Sequence, residues 1–572
     1  MYYLEKDEYD AIVIGSGISG GWAAKELTEK GLRTLVIERG RDVRHGKDYI
    51  TEHKPTWDFP LHNARLEPDK HGAEEYPVQS RTGNFRESSK HFFAKDTTHP
   101  YQEAKPFTWI QGDQVGGKSL IWGRQVYRWS DLDFEANMKD GVAVDWPIRY
   151  ADIAPWYSYV EKHIGVSGER LGLPQLPDGE FLKPMEMNAG EKFVKGHLEK
   201  KMPDRHVTIG RVAILTENHN GRAACHYCGP CERGCSTGSY FSSQSSTLPP
   251  AMATGRLTIV ANSMVHSLIY DEAKHRVSGV RVIDVETKQP REYQAKLVFL
   301  CASTLGSTRL LLTSKSASFP NGLANSSGVL GQNLMDHHFL VGGGGEIPGL
   351  MEHYYQGNRP NGIYVPRFRN LGDEKTKRTD YIRGFGYQGG ASRGGWGRGV
   401  GQEGIGVQLK SKLREPGDWG FGMTGFAECL PRKENYVELG SDTDGFGIPV
   451  LRVNCEWGPN ELAMRKDVKA SAAEMLEAAG LKNVYTYDAY QPGKLGAEPG
   501  LGIHEMGTAR MGRDPKTSVL NGWNQAHDVP NLFVTDGSCM TSSACVNPSI
   551  TYMALTARAV DHAVKEFKAG NI

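Results

Sequence analysis

The sequence has no long hydrophobic run and no excess of charge of either sign. No apolar stretch approaches the roughly 20 residues that a transmembrane helix needs. The 67 Lys and Arg residues balance the 67 Asp and Glu residues, which gives a formal net charge of +0. A neutral chain has no overall field that attracts nucleic acid or an anionic membrane surface. We therefore expect no transmembrane segment and no nucleic-acid partner.

Cysteines are scarce, with 9 in 572 residues, and four of them fall between Cys225 and Cys235. This distribution does not suit a secreted protein framed by disulfides and is more typical of a metal site. The chain begins with acidic residues and has no basic segment ahead of a long apolar core. We therefore expect no signal peptide in it.

Glycine is the residue in excess, since 68 of the 572 residues are glycines and the usual share is ~7%. No three-residue period accompanies them, which excludes a collagen-like chain. The most glycine-rich segment, at 384–406, is interpreted as a surface loop. Its two arginines do not supply the clustered cations that a nucleic-acid-binding segment needs.

The first forty residues have the pattern of a βαβ unit. The apolar run at 11–14 predicts a buried strand, a helical pattern extends to Gly31, and a second apolar run at 34–37 ends at Glu38. The first strand leads into a G-x-G-x-x-G motif made of Gly15, Gly17 and Gly20. These glycines allow a tight turn, close approach of a pyrophosphate and close helix–strand packing, while the acidic residue can accept from ribose hydroxyls. The unit predicts a dinucleotide site without separating FAD from NAD.

The sequence resembles the glucose–methanol–choline (GMC) oxidoreductases, and within them the bacterial sugar dehydrogenases that carry an iron–sulfur cluster. Besides the N-terminal unit, the resemblance rests on segments in the family's order and approximate spacing, namely 115–124, 145–150, 297–310, 331–337, 504–512, 531–538 and the pair Asn547 and Pro548. It implies a fold class that combines α/β and α+β architecture. A Rossmann-type FAD-binding domain would lie beside a discontinuous substrate-binding domain built on an antiparallel sheet.

The positions of the flavin-related motifs suggest how the chain divides. We expect residues 1–160, 225–340 and 496–572 to form the FAD-binding domain, with an iron–sulfur loop inside the middle segment. The two stretches without such motifs, 161–224 and 341–495, are expected to form the substrate-binding domain.

The resemblance implies FAD as the dinucleotide, held by motifs from both ends of the chain. In addition to the three glycines and Glu38 of the first unit, the implied cofactor-binding residues are Gly116, Gly117, Ser119, Val265, Asp536, Gly537, Asn547 and Pro548. Some relatives attach FAD covalently to a histidine in the segment that is Lys118–Trp122 here, and this segment has no histidine. We therefore expect FAD to be bound non-covalently.

His504 and Asn547 are the catalytic residues that the resemblance implies. Oxidation of an alcohol by a flavin needs a base for the hydroxyl proton, and histidine suits this role because its ordinary pKa is near neutrality. An asparagine can donate to or accept from the substrate hydroxyl but cannot take its proton. The base role is therefore predicted for His504 alone.

The segment 225–235 has C-x2-C-x2-C-x3-C spacing, and the predicted metal ligands are Cys225, Cys228, Cys231 and Cys235. This spacing favours an iron–sulfur cluster over zinc, which usually takes two separated C-x2-C pairs, and over disulfides between near neighbours. The resemblance implies a 3Fe-4S cluster, because the ligand spacing of the relatives matches Cys225, Cys231 and Cys235 and leaves Cys228 spare. If all four cysteines are ligands, the cluster is 4Fe-4S.

A cluster has a consequence for the electron acceptor. Reduced flavin holds two electrons whereas a cluster passes one at a time, which favours a dehydrogenase that reduces a redox partner rather than oxygen. Relatives of this branch pair with a small subunit that carries a twin-arginine signal and with a c-type cytochrome. The resemblance therefore implies these partners and a periplasmic location by co-export, with the cytoplasm as the alternative.

These observations predict an FAD-dependent dehydrogenase, an oxidoreductase that acts on CH–OH donors. We expect it to oxidise a secondary alcohol of a sugar, in the first place the C3 hydroxyl of glucosides to 3-keto-glucosides. Electrons would pass from FAD through the iron–sulfur cluster to an external acceptor. The alternatives are a gluconate, fructose or glucose C1 dehydrogenase, an oxygen-using sugar oxidase and, from another class, a non-catalytic flavin electron carrier with a zinc-stiffened loop.

Overall fold

The computed structural model describes residues 8–67, 73–354, 357–395, 398–399 and 402–572. Its strands are β1 (Glu8–Ile14), β2 (Thr34–Ile37), β3 (Gln102–Glu103), β4 (Val166–Ser167), β5 (Phe181–Leu182), β6 (Thr208–Ile209), β7 (Leu257–Val260), β8 (Ser263–Asp271), β9 (Arg276–Asp284), β10 (Pro290–Leu300), β11 (Val341–Ile347), β12 (Ile363–Val365), β13 (Phe385–Arg393), β14 (Trp419–Ala427), β15 (Tyr436–Thr443), β16 (Pro449–Asn454), β17 (Lys482–Asp488) and β18 (Leu532–Val534). Its helices are α1 (Ile18–Glu29), α2 (Asp131–Phe134), α3 (Ala136–Asp140), α4 (Tyr150–Ile164), α5 (Ala189–Lys201), α6 (Leu248–Ala253), α7 (Thr304–Thr313), α8 (Gly406–Arg414), α9 (Pro459–Ala478) and α10 (Ser549–Ala569).

The first large sheet grows from the predicted βαβ unit, whose two strands and helix are confirmed as β1, α1 and β2. Its order is β7-β2-β1-β10-β9-β8, and β18 also pairs with β10. The strands β7, β2, β1, β10 and β18 run parallel, whereas β8 and β9 extend the sheet in antiparallel fashion. Strand β1 is buried on both faces, because Ala11 and Val13 pack with residues of α1 and α10 while Ile12 and Ile14 join the largest core cluster. An apolar strand with no polar alternation is what a doubly covered parallel sheet requires.

The second large sheet is antiparallel throughout, in the order β17-β11-β14-β13-β12-β6. Residues of α5 and α9 pack with its apolar face in a separate core cluster. The central strand β14 alternates buried and half-buried residues along its whole length, as expected of a strand with one covered face. The opposite face is therefore available to line a site.

One sequence prediction is wrong in this sheet. The first half of the segment 384–406, predicted as a surface loop, forms the interior strand β13 between β12 and β14. Its glycines allow close contact between strands, since a Cβ on Gly389 would lie 2.2 Å from the carbonyl oxygen of Gly422. In the second half, residues 402–408 are exposed, while residues 396–397 and 400–401 lie outside the described residues.

The two large sheets confirm the predicted fold class. The strands of the first sheet come from residues 8–37, 257–300 and 532–534, and those of the second come from 208–209 and 341–488. The domain boundaries stay a prediction. Within the described ranges, no helix combines the length and the apolar character that crossing a membrane requires.

Candidate active site

A cavity of about 890 Å³ opens between the carboxyl ends of the parallel strands and the second sheet. Ile14, Ile37 and Cys301 line it at the ends of β1, β2 and β10, and Gln388 and Phe426 line it from β13 and β14. Dinucleotides bind outside the carboxyl ends of the strands in sheets of this kind. The cavity is thus where a Rossmann-type sheet holds its cofactor.

The turn between β1 and α1 requires glycines at the predicted positions. Gly15 has φ +93°, and a Cβ there would lie 2.5 Å from the carbonyl oxygen of Cys301. A Cβ on Gly20 would lie 1.8 Å from the carbonyl oxygen of Gly15, so the helix can approach the strand only without one. Gly17 begins α1 with no side-chain cap, which leaves N–H groups of the first helical turn for an anion in the cavity.

Glu38 fixes the same turn from the end of β2. Its buried carboxylate accepts from the N–H and the Oγ of Ser16, at 3.0 and 2.6 Å, and from the N–H of Gly40 at 3.0 Å. The Oγ of Ser16 in turn accepts from the N–H of Gly116 at 2.8 Å. These bonds tie the glycine turn to the second glycine motif of the sequence.

Most of the residues predicted to hold FAD line this cavity, namely Gly15, Gly17, Glu38, Gly117, Ser119, Val265, Asp536, Gly537 and Asn547. The other three adjoin them: Gly20 packs against Gly15, Gly116 bonds Ser16, and Pro548 is the residue before α10. The structure therefore brings the predicted set together. The atom that each residue contacts in a bound cofactor stays a prediction.

His504 and Asn547 meet at the end of the cavity nearest the second sheet. The Nδ2 of Asn547 lies 3.2 Å from the Nε2 of His504, and both side chains are half-buried and line the cavity. Gln388, on β13, donates from Nε2 to the Oδ1 of Asn547 at 2.6 Å. Burial lowers the pKa of His504 well below its ordinary value, and the neighbouring His337 and Lys118 lower it further. His504 is therefore a neutral imidazole at pH 7.

Two residues that form hydrogen bonds with His504 are not among the predicted site residues. The Nδ1 of His337, which is 0% exposed, lies 2.9 Å from the Nδ1 of His504, and its Nε2 bonds the carbonyl oxygen of Ala544. The Asp336 carboxylate accepts the backbone N–H of His504 at 3.0 Å, together with those of two nearby glycines. Burial and the charge of Glu505 raise the pKa of Asp336 to about 7. Both residues belong to the segment 331–337, whose resemblance to the family is the feature of the sequence that could have indicated them.

A salt bridge also lines the cavity. Lys118 Nζ lies 3.1 Å from Glu505 Oε2, and Glu505 directly follows His504 in the chain. The other carboxylate oxygen of Glu505 is buried and has no hydrogen-bond partner among the described residues. Lys118 lies in the segment that carries a histidine in some relatives, and with Glu505 it forms a charged pair in the cavity lining.

The four cysteines of the segment 225–235 line a second and much smaller cavity, of about 20 Å³. Cys225, Cys231 and Cys235 are partly buried, whereas Cys228 is exposed. Burial raises the pKa of the Cys231 thiol to about 11. Across the described part of the chain, no three His, Cys, Asp or Glu side chains form a group that could hold a metal ion. The iron–sulfur prediction is therefore not confirmed and stays a prediction.

The two cavities share a wall. Trp122 lines the large cavity and Tyr240 lines the small one, and the Tyr240 hydroxyl donates to the Trp122 carbonyl oxygen at 3.2 Å. The Arg124 guanidinium lies 4.6 Å above the Tyr240 ring and also donates to the Trp122 carbonyl, at 2.7 Å. These contacts thus connect the lining of the large cavity with the lining of the cysteine cavity.

Two family models described as GMC oxidoreductase match the chain, one over residues 9–339 and the other over residues 431–556. The chain belongs to the GMC oxidoreductases. This GMC oxidoreductase is 30% identical to 2-methyl-1,2-propanediol dehydrogenase of Mycolicibacterium austroafricanum, over 98% of its own length and 96% of the relative's. It is 24% identical to the fructose dehydrogenase large subunit of Gluconobacter japonicus, with 98% of both chains covered. It is also 24% identical to paromamine 6'-oxidase of Streptomyces fradiae, with 98% and 91% covered.

Solved structures agree with this family fold. The GMC oxidoreductase matches pyridoxine 4-oxidase from Mesorbium loti with a TM-score of 0.58 and 17% identity, over 97% of this chain and 98% of that one. It matches formate oxidase of Aspergillus oryzae with a TM-score of 0.62 and 15% identity, over 99% and 100%. At these identities the likeness concerns the fold.

Membership confirms the predicted family, fold class and enzyme class. The protein is an oxidoreductase acting on CH–OH donors, of the alcohol and sugar dehydrogenases and oxidases, and the family implies FAD. The residues at the large cavity fit this cofactor, because the uncapped N-terminus of α1 can bind a phosphate and the carboxylate of Glu38 can accept from a hydroxyl group.

Proposed function

We propose that this GMC oxidoreductase is an FAD-dependent dehydrogenase that oxidises a secondary alcohol of a sugar. In the first place we assign it the C3 hydroxyl of glucosides, which gives 3-keto-glucosides. The observation that carries the proposal is the polar group of His504, Asn547 and Gln388 in the cavity wall, next to the flavin motifs. Such a group suits an alcohol that is held through hydrogen bonds and loses a proton.

In this mechanism each residue has a separate task. His504 accepts the hydroxyl proton at Nε2, and the low pKa of the ring keeps that nitrogen unprotonated at neutral pH. Asn547 donates to the substrate oxygen from Nδ2, and Gln388 holds the asparagine amide in this orientation. When bound, FAD would supply the acceptor for the hydride that leaves the carbon bearing this hydroxyl group. Acid precipitation is expected to release the yellow colour, since no histidine lies in the segment Lys118–Trp122.

The FAD-binding role is proposed for the residues brought together at the large cavity. The N-terminus of α1 at Gly17 would hold the pyrophosphate, Glu38 the ribose, and the backbone of Val265 the adenine. Asp536 and the residues after it would meet the flavin end. The side chain of Asp536 is held in place, because its carboxylate accepts from Ser307 Oγ at 2.5 Å and from Ser538 Oγ at 2.6 Å.

We also propose that the cysteine segment 225–235 holds an iron–sulfur cluster that receives the electrons. The proposal is supported by the C-x2-C-x2-C-x3-C spacing and by the lining of one cavity by all four thiols, although they do not form a metal-binding group as they stand. The N–H of Tyr227 also donates to the Cys225 sulfur at 3.4 Å. The shared wall of Trp122, Arg124 and Tyr240 supports a short route from the large cavity. Iron and zinc analysis with electron paramagnetic resonance of the purified protein tests this proposal, and stoichiometric zinc without iron would overturn it.

The proposed partners follow from the cluster. A small subunit with a twin-arginine signal would bring the chain to the periplasm, and a c-type cytochrome would take the electrons. The name of the fructose dehydrogenase large subunit supports a partner subunit, because it implies an assembly. If the chain acts without such a subunit, the alternative location is the cytoplasm.

The substrate class is tested by a dye-linked assay with a panel of alcohols. The panel contains methyl glucosides, glucose, fructose, gluconate and 2-methyl-1,2-propanediol, the last because of the relative with 30% identity. The expected result is fastest oxidation of the glucosides, with the ketone at C3 by NMR of the product. Oxidation at C1, or of the diol alone, would replace the substrate assignment. Oxidation of none of these by FAD-loaded protein would favour the non-catalytic electron carrier.

A further inference from the structure

We propose that His337 is a positioning residue that holds His504 in the tautomer with a bare Nε2 facing the cavity. The inference rests on the proposed role of His504 as base. It draws on hydrogen bonds that meet at His504 from two sides, one through His337 and one through Asn547.

His337 carries its one ring proton on Nε2. Its Nε2 bonds the carbonyl oxygen of Ala544, and a carbonyl oxygen can only accept, so this nitrogen must carry hydrogen. The ring is completely buried, and burial lowers its pKa to about 4, so it is neutral and has a single N–H. The Nδ1 of His337 is therefore bare and can only accept.

The bare Nδ1 of His337 determines which nitrogen of His504 carries the proton. The two Nδ1 atoms are 2.9 Å apart, and a hydrogen bond between them needs one hydrogen. Because His337 can only accept there, the Nδ1 of His504 is the donor. A neutral imidazole has one N–H, so the Nε2 of His504 is left with its lone pair.

The hydrogen bond between Asn547 and the Nε2 of His504 requires the same tautomer. Gln388 donates to the Oδ1 of Asn547, which turns the Nδ2 of Asn547 toward His504. An amide nitrogen can only donate, so the Nε2 of His504 must accept. All donors in the series run in one direction, from Gln388 through Asn547 and His504 to His337 and Ala544. The hydrogen bond to His337 and the hydrogen bond to Asn547 thus require the same tautomer of His504, although they involve different nitrogen atoms of its ring.

The backbone around His337 strengthens this arrangement. The preceding residue, Asp336, accepts the backbone N–H of His504 at 3.0 Å, so one dipeptide holds both the backbone and the ring of His504. The following residue, His338, is equally buried, but its Nε2 lies 3.1 Å from the carbonyl oxygen of Glu428 instead. His338 is therefore a matched control for the loss of a buried histidine.

The test reads the tautomer directly in the FAD-loaded enzyme without substrate. Protein labelled with nitrogen-15 histidine is examined by solid-state NMR, and the signals of His504 are assigned by their loss in His504→Gln. The expected wild-type result is a protonated Nδ1 and a bare Nε2. In His337→Phe the Nδ1–H loses its acceptor, and we expect a mixture of both tautomers. In His337→Asn the side-chain Oδ1 can accept again, and in His338→Phe nothing changes at His504, so both keep the wild-type tautomer.

Single-turnover flavin reduction by substrate gives the second readout. We expect a loss of roughly 10- to 100-fold in His337→Phe, since positioned bases contribute ~10²–10⁴-fold and only the correct tautomer is depleted. His337→Asn should restore most of the rate. A wild-type His504 protonated at Nε2 would overturn the proposal even if no variant folds, as would a His337→Phe enzyme with unchanged tautomer and rate. Because the tautomer is read without substrate, a wrong sugar assignment does not affect this result.

Discussion

At the scale of single residues, the candidate site depends on keeping the imidazole of His504 neutral. Burial lowers the pKa of His504, and the neighbouring His337, whose Nδ1 lies 2.9 Å from the Nδ1 of His504, and Lys118 lower it further. Lys118 is itself paired with Glu505, so the charge near His504 is partly balanced. In the proposed mechanism, His504 therefore acts as a base that needs no prior loss of a proton.

Replacement of His504 by alanine tests this role. In His504→Ala we expect flavin reduction by substrate to fall by ~10²–10⁴-fold, the usual contribution of a positioned base. FAD should be retained, because the glycine turn and Glu38 are unchanged. Stopped-flow reduction and the ratio of flavin to protein absorbance measure the two effects. The exposed His197→Ala on α5 is the control, and an unchanged rate in His504→Ala would remove the assignment.

The pH dependence of flavin reduction has a predicted sign. A lowered pKa keeps the ring of His504 unprotonated to lower pH, so the wild-type rate should stay on its plateau below pH 6.5, the ordinary pKa of histidine. Lys118→Gln removes a positive neighbour and leaves Glu505 unbalanced, and both changes raise the pKa of His504. The acid side of the rate profile should therefore move to higher pH in this variant. A shift toward lower pH would show that Lys118 acts in another way.

At the scale of elements, two short segments carry the proposed cofactor chemistry. The turn from β1 to α1 is shaped by contacts that leave no space for a side chain at Gly15 or Gly20. The segment 225–235 is shaped by contacts with the N-terminal third of the chain, because a Cβ on Gly234 would lie 2.5 Å from the ring of Tyr49. Arg233 also donates to the carbonyl oxygen of Lys54 at 2.7 Å. Each segment thus has its backbone set by neighbours distant in sequence.

Gly20→Ala tests the turn. The added Cβ would lie 1.8 Å from the carbonyl oxygen of Gly15, so the backbone must move. Overpacking of this kind typically costs ~1–3 kcal/mol, and we expect FAD to bind about tenfold or more weakly with a lower melting temperature. Gly196→Ala on α5, where a Cβ meets nothing within 4 Å, is the matched control. FAD affinity equal to wild type in Gly20→Ala would argue against the turn as the phosphate site.

Cys231→Ser tests the cysteine segment. Serine is a poor iron ligand in a thiolate site, so the proposed cluster should be lost or destabilised. Substrate should still bleach the flavin in a single turnover, while turnover with a cytochrome should collapse. Cys228→Ser is the informative comparison, because a 3Fe-4S cluster on the other three cysteines would survive it. Equal loss of bleaching and cytochrome reduction in Cys231→Ser would favour a structural role for the segment.

At the scale of the whole molecule, two sheets of different type meet around one cavity. The first, mostly parallel sheet contributes the glycine turn and Glu38, and the antiparallel sheet contributes Gln388 and Phe426. The small cysteine cavity lies behind the wall of Trp122 and Tyr240. In our proposal, the alcohol binds in the large cavity and the electrons leave separately through the cysteine segment.

The separate exit predicts the choice of electron acceptor. With a sugar substrate, the purified enzyme should reduce an artificial dye or a c-type cytochrome faster than oxygen, because the proposed cluster passes single electrons. Oxygen uptake and dye reduction are measured side by side on the same preparation. Hydrogen peroxide formed as fast as dye is reduced would instead favour the oxidase alternative.

The sequence alone determined the local parts of this protein. The alternation of apolar runs and glycines predicted β1, α1 and β2, because strand, turn and helix patterns depend on residues that are close together in the sequence. The spread of family-like motifs predicted the fold class and the enzyme class. The same local reasoning misjudged the segment 384–406, because an interior strand rich in glycine and a glycine-rich loop look alike without their neighbours.

Only the tertiary structure decided which side chains stand together around His504. His337 reaches it across 167 residues, and Gln388 reaches Asn547 across 159 residues from the other sheet. No periodicity or spacing records such contacts, since they depend on how two sheets pack against each other. The tautomer that we infer for His504 follows from those distant partners, because the position of one proton is set by the donors and acceptors that surround it.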